Sequence, residues 1–441
     1  MPRALAKRLL RRPALRAVAR RWLDRVRPLV AEALADPAAE LAATAASLAM
    51  PEITPLVPRR SERMQAGPRL TLLLPGLSER HVFGGIATAL QLFDRLRAAF
   101  AEARIVVLDE REVAPRRDAW YSDWPVFSLA DVADRDPEGP HVVVAGDRYG
   151  RTVPVREGDR FVATIWWSAH LAHALLDWQE RSFGPAERRL AYLIQDYEPG
   201  FYPWSARSAL ADATYRRPER TLAVINSGFL ARYLDVQGIG FARSWVFEPQ
   251  LNPGLRPHLR PGGLLTKQRT VLVYGRPGTE RNAFPLLVAG LQQWVAENEG
   301  SVNWRVVSAG EPHAEVDLGR GLRLESLGKL PLDAYAQLLG TSAVGVSLMV
   351  SPHPSYPPLE MAAFGCRVVT NRFSTKNLST LGERIQSVDR LDPAGLAAAI
   401  ARACALAESD GLVAEMPVQL GSFLATEDPF ACAAELAAAL R

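Results

Sequence analysis

The 441-residue sequence predicts an α/β protein: two Rossmann-like domains in tandem, facing a cleft, behind an N-terminal basic helical arm. Three observations predict it. Short Val/Ile/Leu runs recur from residue 69 onward and alternate with amphipathic stretches, the pattern of parallel strands buried on both faces. A Pro-containing stretch, Pro249 to Pro261, divides these runs into two series. The length suits two large domains, and 48% hydrophobic against 23% charged residues suits a chain that buries extensive cores.

The arm comes first. Residues 1–28 hold ten Lys/Arg and one acid, Asp24, a charge of +9; against a net +4 the other 413 residues carry −5. Leu15, Val18, Trp22 and Val26 fall at helical spacing among the arginines, after a break at Pro13. Two readings are open: a contact with an anionic membrane surface, or a helix packing its apolar stripe on the body. Residues 29–67 read as a linker, so 1–67 is expected to be arm and linker. The first domain, 68–250, contains the runs Leu70 to Leu74, Ile105 to Leu108, His141 to Ala145, Phe161 to Ile165, Ala191 to Ile194 and Thr221 to Ile225. The second, 251–425, contains Thr270 to Tyr274, Trp304 to Ser308, Leu322 to Leu327, Ala343 to Leu348, Arg367 to Thr370 and Arg384 to Val388. Residues 426–441 are expected to be a C-terminal helix.

Several classes of function fall away. The basic charge sits on the arm and the body is mildly acidic, so no nucleic-acid partner is expected. Apolar stretches such as Leu41 to Met50 are shorter than the roughly 18 residues a membrane span needs, and no signal-peptide pattern opens the chain. A cytoplasmic protein, peripheral at most on the inner membrane face, is expected. Cys366, Cys404 and Cys432 suggest neither a disulfide framework nor zinc. No G-x-G-x-x-G or P-loop follows a strand. His170 and His173 lack a carboxylate partner, and Asp134-Arg135-Asp136 precedes a strand rather than ending one, so it reads as a turn. No metal and no cofactor are expected.

In such sheets ligands bind beyond the carboxyl ends of the strands. After the first run come Gly84 and Gly85 at a helix start, where exposed N–H groups can approach an anion or sugar. The fifth run ends in Gln195-Asp196-Tyr197-Glu198-Pro199, followed by Phe201, Tyr202 and Trp204. Carboxylates, an amide and aromatic rings together suit a sugar site, with Asp196 the candidate catalytic base and Glu198 the second choice. In the second half Arg276 and Arg281 flank a strand-to-helix turn, and forked guanidiniums match a diphosphate. The Pro-rich loop Ser351 to Glu360 offers Ser355, Tyr356 and Glu360, with Glu360 either on a ribose diol or complementing a helix dipole.

At these residues the sequence resembles the GT-B glycosyltransferases, and more narrowly the WsaF-like rhamnosyltransferases of bacterial surface-glycan assembly. The paired-glycine opening, Gln195 to Pro199 with Phe201-Tyr202-Pro203, Ile225-Asn226-Ser227 and Pro354 to Glu360 carry the likeness, which covers about residues 68–425. The resemblance implies an acceptor-holding first domain with Gly84, Gly85, Gln195 and Tyr197, and a nucleotide-sugar second domain. It implies Arg276 and Arg281 on the donor diphosphate, and Glu360 as the second acid of the family's E-x7-E motif. Pro352 stands where that motif has its first Glu. The implied reaction is transfer of L-rhamnose from dTDP-L-rhamnose onto a glycan acceptor, lipid-linked or not; without a strand-end D-x-D, and with arginines to neutralise the diphosphate, it is expected to need no metal. A catalytically silent binding module and a nucleotide-sugar epimerase are the alternatives.

Overall fold

The computed structural model describes residues 50–64, 67–78, 84–114 and 119–441. The basic arm lies outside these residues, as does the stretch 79–83 before the paired glycines. Residues 55–441 form one compact unit built on two large sheets.

The first half contributes β1 (Val57–Arg60), β2 (Arg69–Leu74), β3 (Glu102–Val107), β4 (Val126–Ser128) and β5 (His141–Val144). There follow β6 (Thr152–Val155), β7 (Arg160–Ala163), β8 (Leu190–Ile194), β9 (Thr221–Asn226) and β10 (Arg243–Phe247). Eight of these form a parallel sheet in the order β10-β9-β8-β7-β2-β3-β5-β4, while β1 pairs with β6 apart from it. Strand order reverses between β2 and β7, which opens a crevice at their carboxyl ends. Four helices accompany this half: α1 (Gly85–Arg97), α2 (Trp166–Phe183), α3 (Ala206–Thr214) and α4 (Gly228–Val236). Every residue of β2 is buried because the sheet is covered on both faces: Leu72 packs with Leu92, Phe93 and Leu96 of α1, and Leu73 shares a cluster with Leu171, Leu175 and Leu176 of α2.

The second half adds β11 (Leu264–Thr266), β12 (Gln268–Gly275), β13 (Arg305–Gly310), β14 (Val316–Gly319) and β15 (Leu322–Gly328). It continues with β16 (Ser342–Val346), β17 (Arg367–Asn371), β18 (Ile385–Val388) and β19 (Val413–Glu415). The order β14-β15-β13-β12-β16-β17-β18 again reverses beside its first parallel strand, and only β14 runs antiparallel. Its helices are α5 (Phe284–Glu297), α6 (Leu332–Thr341), α7 (Pro357–Ala363) and α8 (Pro393–Ser409). Helices α5 and α8 approach closely at Gly290, where a Cβ would stand 2.7 Å from that of Leu396. A last helix, α9 (Ala433–Leu440), returns to the first sheet. Its Leu436 and Leu440 pack with Phe93 and Leu96, and the Leu440 carbonyl accepts from Arg160 at 2.6 Å.

Every strand expected from an apolar run is present, within a few residues. The unexpected ones are short or lie at edges: β1 falls in the expected linker, β6 contains Pro154, and β10 leaves Arg243 and Ser244 exposed. Asp136, expected in a simple turn, is buried at the amino ends of the strands. Arg69 and Arg156 both ion-pair with it, the Arg156 contact at 2.6 Å.

Candidate active site

The carboxyl ends of the two sheets meet at Asp196, the second residue past β8. Its Oδ1 accepts from the Tyr197 amide at 2.8 Å and from the Ser351 hydroxyl of the second half. Its Oδ2 stands 3.8 Å from Nε of Arg281, also from the second half. The Arg281 guanidinium lies over the Phe201 ring, 4.2 Å from its centroid, so the aromatic loop after β8 holds that cation in place. Sequence reasoning placed Asp196, Arg281 and this loop in the site, and the fold brings all three together.

The other residues expected beside Asp196 are committed elsewhere. Gln195 donates to the Gly85 carbonyl at 3.0 Å, tying the start of α1 to the end of β8. A Cβ on residue 85 would sit 2.9 Å from that amide, and Gly84 has φ of 47°, so the paired glycines make this close approach possible. The Tyr197 hydroxyl donates to Asp212 at 3.2 Å, and burial together with Asp212 pushes it up to about 12. Glu198, the second choice of base, is engaged away from Asp196. Its carboxyl is buried on the backbone N–H of Trp166, the first residue of α2. Burial, with nearby Asp196, pushes it up to about 8, which favours its protonated form at neutral pH.

This raised value carries a sign. Glu198 binds its proton more tightly folded than unfolded, so its contribution to stability is fully present below about pH 4.5 and is lost as pH rises towards 8. Glu198→Gln should therefore gain thermal stability relative to the wild type progressively between pH 5 and 8. Parallel melting curves would refute this if the difference stays flat.

On the second sheet, two loops are stapled together behind Asp196. The Val350 amide donates to the Arg281 carbonyl at 2.7 Å, and the Asn282 amide to the Leu348 carbonyl at 3.0 Å. Asn371 at the end of β17 brackets Met349 through both its amide atoms, at 2.7 and 2.9 Å. Ser351 and His353 are thereby fixed at the junction. Lys376 is fully buried there, donating to the Met349 carbonyl; burial pushes it down to about 7, and Asp196 acts in the opposite direction.

The remaining donor-side candidates lie around this junction. Arg276 is ion-paired with Glu311 at 3.0 Å rather than drawn to Asp196. Glu360 accepts from the Tyr335 hydroxyl at 3.0 Å and is pushed up to about 7 by burial. Ser355 is buried with φ of 68°. Tyr356, half-buried, reaches Asn226 and Thr88 of the first half. Among the described residues no group of three or more His, Cys, Asp or Glu is placed to hold a metal ion, and no helix is long and apolar enough to cross a membrane.

Ser351, His353 and Lys376 were not singled out from the sequence. One signal was available for Lys376: the chain has four lysines against 48 arginines, and two of the four, Lys267 and Lys376, are buried.

Two Rossmann-type sheets joined at their carboxyl ends, with the last helix crossing back to the first, define a GT-B protein. The chain belongs to the WsaF family: the model of the WsaF N-terminal domain matches residues 69–228 and that of the WsaF C-terminal domain residues 269–401, together more than half of the chain. It is 32% identical over 319 residues to the O-antigen biosynthesis protein RfbC of Myxococcus xanthus, covering 69% of this chain. The chain spans about a fifth, 22%, of that relative. Among solved structures it is similar to OtsA in its apo form, with TM-score 0.50 at 12% identity over 78% of this chain and 93% of that one. It also resembles an α,α-trehalose-phosphate synthase (UDP-forming) from Burkholderia vietnamiensis, with TM-score 0.49 and 13% identity over 80% and 94% of the two chains. At 12% identity the likeness to OtsA is one of fold.

Proposed function

We propose that this protein is a glycosyltransferase of polysaccharide biosynthesis that moves L-rhamnose from dTDP-L-rhamnose onto a bacterial surface glycan. The observation that carries the reading is the meeting of Asp196 with Arg281 across the two sheets. A carboxylate at the end of one sheet suits an acceptor hydroxyl, and a guanidinium at the end of the other suits a leaving diphosphate. The family match and the O-antigen role named for the relative support the polysaccharide context. The donor sugar rests on the resemblance of the site motifs to the rhamnosyltransferases.

The test is turnover by the purified chain with dTDP-L-rhamnose and a surface-glycan acceptor. Acceptor-dependent release of dTDP that persists in excess EDTA is expected, with Arg276 and Arg281 neutralising the leaving group. Restoration by Mg²⁺ or Mn²⁺ after complete loss in EDTA would remove the metal-independent part. No binding of any nucleotide sugar would overturn the whole. Arg281→Ala and Arg276→Ala should each weaken dTDP binding at least about tenfold, because each removes a charge-assisted bond worth about 1.5–3 kcal/mol. Glu360→Gln should weaken it through the ribose. Unaltered titration isotherms for all three would place the donor elsewhere.

For the arm, a contact with an anionic membrane surface is proposed, with packing of its apolar stripe on the body as the alternative. Deleting residues 1–28 should reduce binding to anionic vesicles at low salt and leave transfer to a soluble acceptor intact. Unchanged vesicle binding would favour packing of the arm on the body.

A further inference from the structure

Two buried N–H groups at the junction of the sheets make no hydrogen bond to the protein: Nε of Arg281 and Nε2 of His353. His353 is 7% exposed. Its Nδ1 accepts the Ser355 amide at 3.0 Å, which places the ring proton on Nε2 and makes that atom a donor. The backbone holds this arrangement at a cost, since Ser355 sits at φ 68°, a region serine seldom adopts and one that recurs at ligand-binding loops. The loop is also fixed from both sides. Ser351 accepts the His353 amide at 3.1 Å while donating to Asp196, and Tyr356 packs on the imidazole with ring centroids 5.9 Å apart.

Both donors belong to one electrostatic cluster. Arg281 Nε is 3.8 Å from Asp196, too far for a hydrogen bond, and Asp196, Lys376 and Arg281 all act on His353. Burial pushes the imidazole down to about 4, so it is neutral and adds no further positive charge beside Arg281. A buried donor without a partner is costly to keep. A neutral N–H and a guanidinium N–H that both neighbour Asp196, one through Ser351 and one at 3.8 Å, are a suitable pair of donors for the oxygens of a bound ligand.

We infer that His353 is a substrate-binding residue, its Nε2–H acting with the Arg281 Nε–H to take oxygens of the nucleotide sugar and hold it beside Asp196. The inference rests on the donor reading above. The shared chemistry is an acceptor oxygen, which the donor can supply from its diphosphate or from a sugar hydroxyl.

The experiment titrates the full chain with dTDP and with dTDP-L-rhamnose by calorimetry, for wild type, His353→Phe and His353→Gln. The Phe variant keeps a ring without an N–H, and the Gln variant restores a donor. His353→Phe should weaken dTDP-L-rhamnose binding at least about fivefold, and His353→Gln should recover part of the loss. An equal loss with dTDP assigns the oxygen to the diphosphate; a loss confined to dTDP-L-rhamnose assigns it to the sugar. Both support the inference. A folded His353→Phe chain that binds both ligands like wild type overturns it. Should that variant not fold, the wild-type imidazole ¹⁵N resonance decides: Nε2 should shift on saturation with dTDP-L-rhamnose, and an unmoved resonance overturns the assignment. Wild type that binds neither ligand fails the donor reading itself, which separates the two failures.

Discussion

Replacing Asp196 by asparagine should lower kcat at least about a hundredfold without weakening nucleotide binding, the loss expected when a general base is removed. Oδ1 is occupied by the Ser351 hydroxyl and the Tyr197 amide, which leaves Oδ2 as the atom able to take a proton. If transfer inverts configuration, the acceptor hydroxyl loses its proton to Oδ2 as its oxygen bonds to the anomeric carbon and the bond to the diphosphate breaks. Asparagine keeps the shape and the Ser351 contact but cannot accept that proton at neutral pH. Nucleotide affinity should hold, because Arg281 loses only a carboxylate 3.8 Å away that competes for its charge. If configuration is retained, the leaving diphosphate takes the proton and Asp196 orients the acceptor, so the loss moves to acceptor KM. Unchanged kcat and KM for both substrates in a folded variant would remove Asp196 from the site. Glu198→Gln is the control: with its carboxyl on the Trp166 amide, it should leave kcat within a few-fold of wild type.

The fold was legible where both faces of a strand are covered. Leu70 to Leu74 is entirely buried, and such a run survives as an unbroken apolar word in the sequence. Edge strands carry no such word: β10 exposes Arg243 and Ser244, and β4 spans only Val126 to Ser128. Members of the site were legible one by one, but their contacts across the two halves were not. Asp196 follows a recognisable strand, so its place at the cleft is a consequence of local order. Its partner Ser351 stands 155 residues downstream, and no local spacing connects the two. Arg276 and Arg281 stand five residues apart in the sequence, but only Arg281 neighbours Asp196, while Arg276 is ion-paired with Glu311, the residue after β13. Glu198 shows the reverse limit: two residues from Asp196, it enters a different environment because β8 gives way to a tight turn under the start of α2.

Asp136→Ala should destabilise the first half of the protein by about 3–5 kcal/mol, the usual consequence of leaving buried cations unpaired. Both its carboxylate oxygens are engaged. Arg69 reaches Oδ1, and Arg156 and Ser61 each reach Oδ2 at 2.6 Å. Arg69 has a second carboxylate in Asp159, at 2.7 Å, while Arg104, itself pushed down to about 9 by burial and by Arg69, depends on Asp159 at 3.6 Å. Removing Asp136 therefore leaves three buried guanidiniums against Asp159 and the partly buried Glu102. Burial alone would raise the Asp136 carboxyl, but Arg69, Arg156 and Ser61 override it and hold it well below the usual carboxylate range. Its stabilisation is accordingly present above the unfolded value of about 4 and is lost as pH falls below it. Thermal unfolding should show a midpoint lowered by about 6 °C or more at pH 7, with the gap to wild type narrowing as the pH is taken from 4 towards 2. Residues Arg69, Arg104 and Asp136 lie at the amino ends of the strands, away from Asp196, so nucleotide binding by the folded fraction should be unaffected. A midpoint within about 1 °C of wild type would mean that the cations find compensating partners and that the cluster contributes little to the fold.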